Sequence, residues 1–231
     1  MIPINTARGE VGERKRDSLK VGVTIMAVIA DKCSRYRKLS QSLAEIGDQH
    51  ARAITNQRYR LMYHYFVRCS GLTSATVLLV ENGFLAAAYA LQKSIVDSML
   101  NGLYIGYVAK DAEINRLITL ALKGRGTGYS KMERRARDID AAFQKRKPFM
   151  MSVHSIVKRT QESLNEFGHG GLLSTALEAG TNPPEVGNKV LADCVLTLLF
   201  FLGNVCILEN LDLAPLELLM KEFDEAGKLG G

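Results

Sequence analysis

The chain has 231 residues, of which 47% are hydrophobic and 23% are charged, so it is long enough to bury a substantial core. With no Trp, only five Pro and scattered β-branched residues, its composition favours an all-α protein over a sheet protein. The formal charge of +6 is compatible with an anionic partner such as RNA, but it is also ordinary for a soluble surface.

The cysteines and the start of the chain indicate the compartment. No CxxC occurs and no Cys/His pair has zinc spacing, so we expect neither a metal site nor another cofactor. The first residues also lack the apolar core of a signal peptide. The sequence therefore predicts a cytoplasmic protein with buried free thiols at Cys33, Cys69, Cys194 and Cys206.

The helical pattern begins after a polar and charged segment over residues 1–18, which we expect to be a mobile tail. Residues 19–231 are predicted to form a single domain. The first helix is expected over about 20–46, ending near Gly47. Asp48 is an acceptable N-cap for a second helix, because its side chain can accept a hydrogen bond from the first free N–H groups.

Within the second helix, Gly71 is a candidate break. Asn82 and Gly83 then form a turn signal, and a strongly apolar helix follows to about residue 109. Asp111 is expected to cap the next, short helix.

The second half of the chain continues in the same way. A Gly-rich loop over 123–131 precedes a charged amphipathic helix that Pro148 ends, and another helix runs into two glycines after His169. An apolar helix over 185–209 and a final amphipathic helix to about 226 complete seven or eight helices.

One segment is nearly long enough to cross a membrane: residues 190–208, between Lys189 and Glu209. Asp193 and Asn204 lie inside it, and both are costly in lipid. We therefore expect a buried bundle helix and no stable membrane insertion, although a membrane-associated effector remains an alternative.

Two polar pairs with i, i+4 spacing suggest a site. Lys93 and Asp97 share one helix face, and Asn165 and His169 share another. If the two helices pack side by side, a buried Lys/Asp pair would orient the histidine and tune its pKa toward neutrality. The alternative is a structural polar network that fixes helix register, and Asn101 extends the first stripe by one turn.

The residues around these pairs carry a resemblance. The stretch ALQKSIVDSMLNGLYI is similar to a helix in a group of uncharacterised bacterial all-helical proteins, in which an Arg and a Glu occupy the positions of Lys93 and Asp97. The same group carries an N-x-[FY]-x-H-G-G element, and this chain reads NEFGHGG from Asn165. The resemblance covers about 48–175 and includes HARAI from His50.

That group in turn resembles the HEPN superfamily of helical bundles, which implies an all-α HEPN-like fold. Active HEPN ribonucleases carry the pattern Arg-polar-x-x-x-His, which this chain resembles. The polar residue of the pattern falls on Asn165 and its histidine on His169. In that scheme the Arg binds the scissile phosphate and the His transfers protons without a metal. Leu164 replaces that Arg, so phosphate binding would fall to Lys93 or Lys158, or activity is lost.

The resemblance implies an RNA-directed protein. It would be a metal-independent endoribonuclease, or a degenerate relative, in a bacterial toxin or phage-defence system. A homodimer is implied, with a cognate antitoxin or defence-system protein as partner. The competing hypothesis is a non-catalytic helical interaction or ligand-binding module that acts as a dimeric scaffold. The site residues expected to converge between two adjacent helices near the dimer interface are His169, Asn165, Lys93 and Asp97.

Two other patterns have two interpretations each. A basic cluster either lines an RNA groove or is a solvated helix face; it consists of Lys131, Arg134, Arg135, Arg137, Lys145, Arg146 and Lys147. Aromatic and Arg residues over 58–66 either stack on bases or form a core stripe of Tyr59, Met62, Tyr63 and Phe66.

Overall fold

The computed structural model describes residues 30–52, 54–123, 131–143, 149, 152–168 and 184–228. Within these ranges every regular element is an α-helix, and there are eight. The predicted all-α bundle of seven or eight helices is confirmed. The helices are α1 (30–51), α2 (Gln57–Glu81), α3 (Leu85–Tyr107), α4 (Asp111–Leu122), α5 (Met132–Phe143), α6 (Val153–Gly168), α7 (Pro184–Glu209) and α8 (Ala214–Lys228).

The predicted tail over 1–18 and most of the Gly-rich loop lie outside the described residues. Pro148, the expected end of the charged helix, also lies outside them, and α5 itself ends at Phe143.

Helix α3 is the centre of the bundle. It packs against α2, α5, α6 and α7, and 13 of its 23 residues are buried. Such a helix must be apolar on nearly every side, which explains its strongly hydrophobic sequence. The turn at Asn82 and Gly83 joins it to α2 as predicted, and Gly83 has a φ of 79°, which a residue without a Cβ adopts readily.

The first predicted helix boundary is wrong. Helix α1 continues through Gly47 to residue 51, so Gly47 does not end it. The ring of Phe66 occupies the space that a Cβ at position 47 would fill, and the glycine therefore allows close packing of α1 on α2. Asp48 caps no helix either; its carboxylate accepts a hydrogen bond from the Tyr63 hydroxyl at 2.6 Å.

Two further local predictions are corrected. Helix α2 begins one residue after its N-cap Asn56 and is continuous, because Gly71 lies on its exposed side with open space around it. Asp111 is the first residue of α4 and not its cap. The carbonyl of Lys110 accepts the first helical hydrogen bonds, and the Asp111 carboxylate pairs with Arg58 at 2.5 Å.

Helix α7 is the one helix among the described residues that is long and apolar enough to cross a membrane. It is largely buried in the bundle, as the core helix of a soluble protein would be. Asp193 pairs with Arg159 of α6 at 2.6 Å, and Asn204 is fully buried, donating to the Phe200 carbonyl at 2.8 Å. Both polar side chains therefore face protein, as predicted, whereas cytoplasmic localisation stays a prediction.

Replacing Leu198 by Asp tests the burial of α7. Leu198 is 0% exposed, so Leu198→Asp buries an unpaired carboxylate and should lower the free energy of unfolding by more than about 4 kcal/mol. Leu218→Asp is the matched control, because Leu218 is 61% exposed; it should change stability by less than about 0.5 kcal/mol. Denaturant unfolding in detergent-free buffer measures both, and equal stability of the two variants would contradict the placement of α7.

Candidate functional site

Helices α3, α5 and α6 pack against one another. The adjacency of α3, which carries Lys93 and Asp97, and α6, which carries Asn165, is therefore present as the site hypothesis requires. Helix α6 ends at Gly168, one residue before His169. The side chain of Asn165 and the whole of His169 lie outside the described residues, so the convergence of the four residues stays a prediction.

The polar stripe on α3 is bound by Arg135 of α5, which the sequence groups with the basic cluster. Arg135 of α5 donates to the Asp97 carboxylate at 2.9 Å and to the side-chain oxygen of Asn101. Arg135 is only 5% exposed, whereas the Asp97 side chain is about a third exposed. We call these three residues the Arg135 network.

The geometry of the Arg135 network follows from the helix repeat. Asp97 and Asn101 are four residues apart, so both present an oxygen on the same side of α3. The planar guanidinium of Arg135 carries donors in a fixed fork and can serve both acceptors at once. A buried guanidinium without acceptors would cost several kcal/mol, and the network therefore holds α5 in one register on α3.

This placement corrects both interpretations of the basic cluster for Arg135, which lines no RNA groove and is not solvated. Lys131, Arg134 and Arg137 are exposed, as either interpretation requires, whereas residues 145–147 lie outside the described ranges. The sequence contains a signal for the burial of Arg135. Arg135 stands four residues before Ile139, and this spacing places it on the apolar face of α5.

Lys93 is not a member of the Arg135 network. It is exposed and has no ion pair or hydrogen bond among the described residues, so the expected buried Lys93–Asp97 pair is not formed. Asp97 is instead neutralised from α5. Among the described residues, Lys93 is therefore an unpaired cation on the exposed side of α3.

Helix α6 is fixed at its start by α5. The Asp140 carboxylate accepts hydrogen bonds from the backbone N–H groups of Val153 and His154 at 2.8 and 2.9 Å, where an anion also complements the helix dipole. Helix α6 is amphipathic in the part whose side chains are described. The inner face is buried at Val153, Ile156 and Thr160, and the outer face is exposed at Lys158 and Glu162.

Asp193 contributes an unusual charge between α6 and α7. Its side chain is 12% exposed and pairs with Arg159. Burial raises the pKa of the Asp193 carboxyl, and the positive charges of Arg159 and Lys189 offset only part of that increase. The ionised carboxylate is therefore less favourable in the folded chain than in water.

The aromatic stripe of α2 belongs to the core. Met62 and Phe66 are buried, and Tyr59 and Tyr63 pack against the same core. The core interpretation of this pattern is confirmed, and these rings are not available to stack on bases. Arg58 is also engaged, since its guanidinium donates to the Ile105 carbonyl in the last turn of α3 and to the Ala109 carbonyl just beyond that helix.

The four cysteines are buried and free, as predicted. Burial raises the pKa of Cys33 to about 11 and that of Cys206 to about 12, and it raises the pKa values of Cys69 and Cys194 further. Such thiols are protonated at neutral pH and poor nucleophiles. In the described part of the chain, no three His, Cys, Asp or Glu residues are grouped as metal ligands.

Residues 70–216 match the model of DUF6988, a family of unknown function, and the chain belongs to that family. The matched segment begins within α2, contains α3 to α7 with the whole Arg135 network, and ends within α8. No curated protein and no solved structure matches the chain.

Removing Arg135 should destabilise the fold. Arg135→Ala leaves Asp97 without its partner and opens a cavity, so the free energy of unfolding should fall by about 2–4 kcal/mol. Arg135→Met keeps much of the aliphatic packing and should cost less. Arg137→Ala, on the exposed side of α5, is the control with little expected effect. Equal unfolding midpoints for Arg135→Ala and Arg137→Ala in urea would show that the network does not stabilise the bundle.

Asp193 should give stability a defined pH dependence. A raised folded pKa means that the contribution of this carboxyl is fully present below its unfolded pKa and is lost as pH rises through the folded pKa. The stability of the natural chain relative to Asp193→Asn should therefore fall as pH rises above the ordinary pKa of an aspartate, 3.8. Urea unfolding at several pH values measures this difference. Asp224→Asn on the exposed side of α8 gives the background, and a relative stability that rises with pH would refute the assignment.

Proposed function

We propose that this DUF6988 protein acts on RNA at a site formed by Lys93, Asn165 and His169. It is either a metal-independent endoribonuclease or an RNA-binding relative that has lost cleavage. The observation that carries the proposal is the packing of α6 on α3. This packing sets the helix that leads into the Asn-x-x-x-His element beside the helix that carries the free cation of Lys93.

The chemistry of the proposed site is proton transfer to and from a ribose. His169 would accept the proton of a 2′-hydroxyl, whose oxygen then attacks the adjacent phosphorus to form a 2′,3′-cyclic phosphate. The 5′-oxygen leaves and takes its proton from water or from the imidazolium of His169. Asn165, one helical turn earlier, would hold the imidazole or the ribose by a hydrogen bond. The developing charge on the phosphate needs a cation. Because Leu164 stands in the Arg position of the HEPN pattern, that cation would be Lys93 or Lys158.

Asp97 has an indirect part in this proposal. Its carboxylate is already paired with Arg135, so it is a positioning residue that fixes α3 against α5 and not a proton carrier. The exposed outer face of α6 at Lys158 and Glu162 supports access of a large substrate to the end of this helix. A homodimer, and a cognate antitoxin or defence-system protein, belong to the same proposal as partners.

A second candidate function is a non-catalytic helical interaction or ligand-binding module. One observation favours it: the acidic residue of the expected site is neutralised by a buried arginine, as in a structural network. Leu164, which replaces the Arg of the HEPN pattern, also favours a non-catalytic module. In this case the role of α3, α5 and α6 would be to present a rigid surface on a dimeric scaffold.

Cleavage of a fluorescent single-stranded RNA in the presence of EDTA tests the first function. His169→Ala should lower the cleavage rate by about 10²-fold or more while leaving the melting temperature unchanged. Lys93→Gln should weaken RNA binding and reduce its dependence on salt. His154→Ala is the matched control, because His154 is an exposed histidine at the other end of α6.

The outcomes separate the two functions. RNA binding without cleavage, weakened by Lys93→Gln, would support the degenerate relative. A chain that forms a tight dimer and neither binds nor cleaves RNA would support the interaction module. Cleavage that persists in His169→Ala at the rate of His154→Ala would eliminate the proposed proton-transfer role.

A further inference from the structure

We infer that a groove between the N-terminal half of α2 and α4 is a separate binding site for a nucleotide. The groove has a volume of about 490 Å³. This volume falls in the range of natural small-molecule sites, roughly 300–1,000 Å³. Its α2 wall precedes residue 70, where the match to the family begins, and it shares no residue with the proposed RNA site.

The groove is held open by Arg58. Its guanidinium donates to the Ile105 and Ala109 carbonyls at the end of α3 and pairs with Asp111 at the start of α4. These contacts join α2 to both elements and neutralise the acidic residue at the groove. Arg58 is therefore committed to the fold, and the groove is formed without a ligand.

The polar wall of the groove carries a free cation. Arg60 donates from Nε to the Ile54 carbonyl at 3.1 Å, and its two terminal nitrogens have no partner among the described residues. His64, one helical turn further along α2, is exposed and likewise has no partner in the described part of the chain. A guanidinium and an imidazole four residues apart on one helix are suited to a phosphate group.

The rest of the lining combines three aliphatic side chains with the amides of Asn56, Gln57 and Asn115. Leu61, Ile114 and Ile118 supply aliphatic surface on which the face of a planar ring can lie. Asn115, exposed next to Ile114 on α4, offers both a donor and an acceptor to the edge of such a ring. A phosphate-binding cation, an aliphatic surface and the flanking amides together fit a nucleobase joined to a phosphate better than either fragment alone.

A free nucleotide and one nucleotide of an RNA strand share this chemistry. Titration calorimetry with adenosine 5′-monophosphate, adenosine, inorganic phosphate and tetra-adenylate distinguishes these sources. We expect the monophosphate to bind at least about tenfold more tightly than adenosine or phosphate, because each fragment makes only part of the contacts. A higher affinity for tetra-adenylate with a steeper salt dependence would identify a strand as the natural ligand.

Arg60→Gln should weaken binding of adenosine 5′-monophosphate and of tetra-adenylate by about tenfold or more, because it removes a charge-assisted contact. Arg68→Gln is the matched control, because Arg68 is exposed on the same helix and does not line the groove. This variant should bind both ligands as tightly as the natural chain does. If Arg60→Gln lowers the melting temperature, His64→Gln repeats the test without altering the contact to Ile54.

The inference is overturned if neither adenosine 5′-monophosphate nor tetra-adenylate binds at millimolar concentration. It is also overturned if Arg60→Gln or His64→Gln binds both probes as tightly as Arg68→Gln does. The titration requires no cleavage, so failure of the proposed ribonuclease activity leaves this result unaffected.

Discussion

The bundle depends on burying one guanidinium. Arg135 can leave water because α3 presents two oxygens one turn apart to its guanidinium, and α5 reaches both oxygens in its observed position along α3. Asp140, further along α5, then binds the first N–H groups of α6. The contacts of Arg135 and Asp140 therefore link the positions of α3, α5 and α6 to one another.

The other side of α3 is organised by shape instead of charge. At Gly102 and Gly106 the missing side chains admit Phe201 and Leu208 of α7, and Met62 of α2 also fills the space at Gly106. Close approach of helices raises the number of van der Waals contacts for each buried ring. Helix α3 thus has one polar contact surface that fixes register and one apolar surface where small residues allow close packing.

The sequence predicted the long helices well, because α3 and α7 are buried on most sides and their apolar patterns are continuous. It failed where tertiary packing decides the role of a residue. Gly47 is an ordinary stop signal in isolation, and only the ring of Phe66 explains its place inside α1. The polar stripe of Asp97 was recognised, but its partner was not, since Arg135 was grouped with its charged neighbours and not with the apolar face it shares with Ile139. The histidine half of the site stays a prediction.

The buried thiols can report local opening of the helices that carry them. Cys33, Cys69, Cys194 and Cys206 lie on α1, α2 and α7, and a protonated thiol inside the core reacts with an alkylating agent only when its surroundings open. Modification rates measured residue by residue would therefore separate detachment of α1 from opening of the central α2–α7 contact. A chain whose outer helix leaves the core more often than its centre would be labelled first at Cys33.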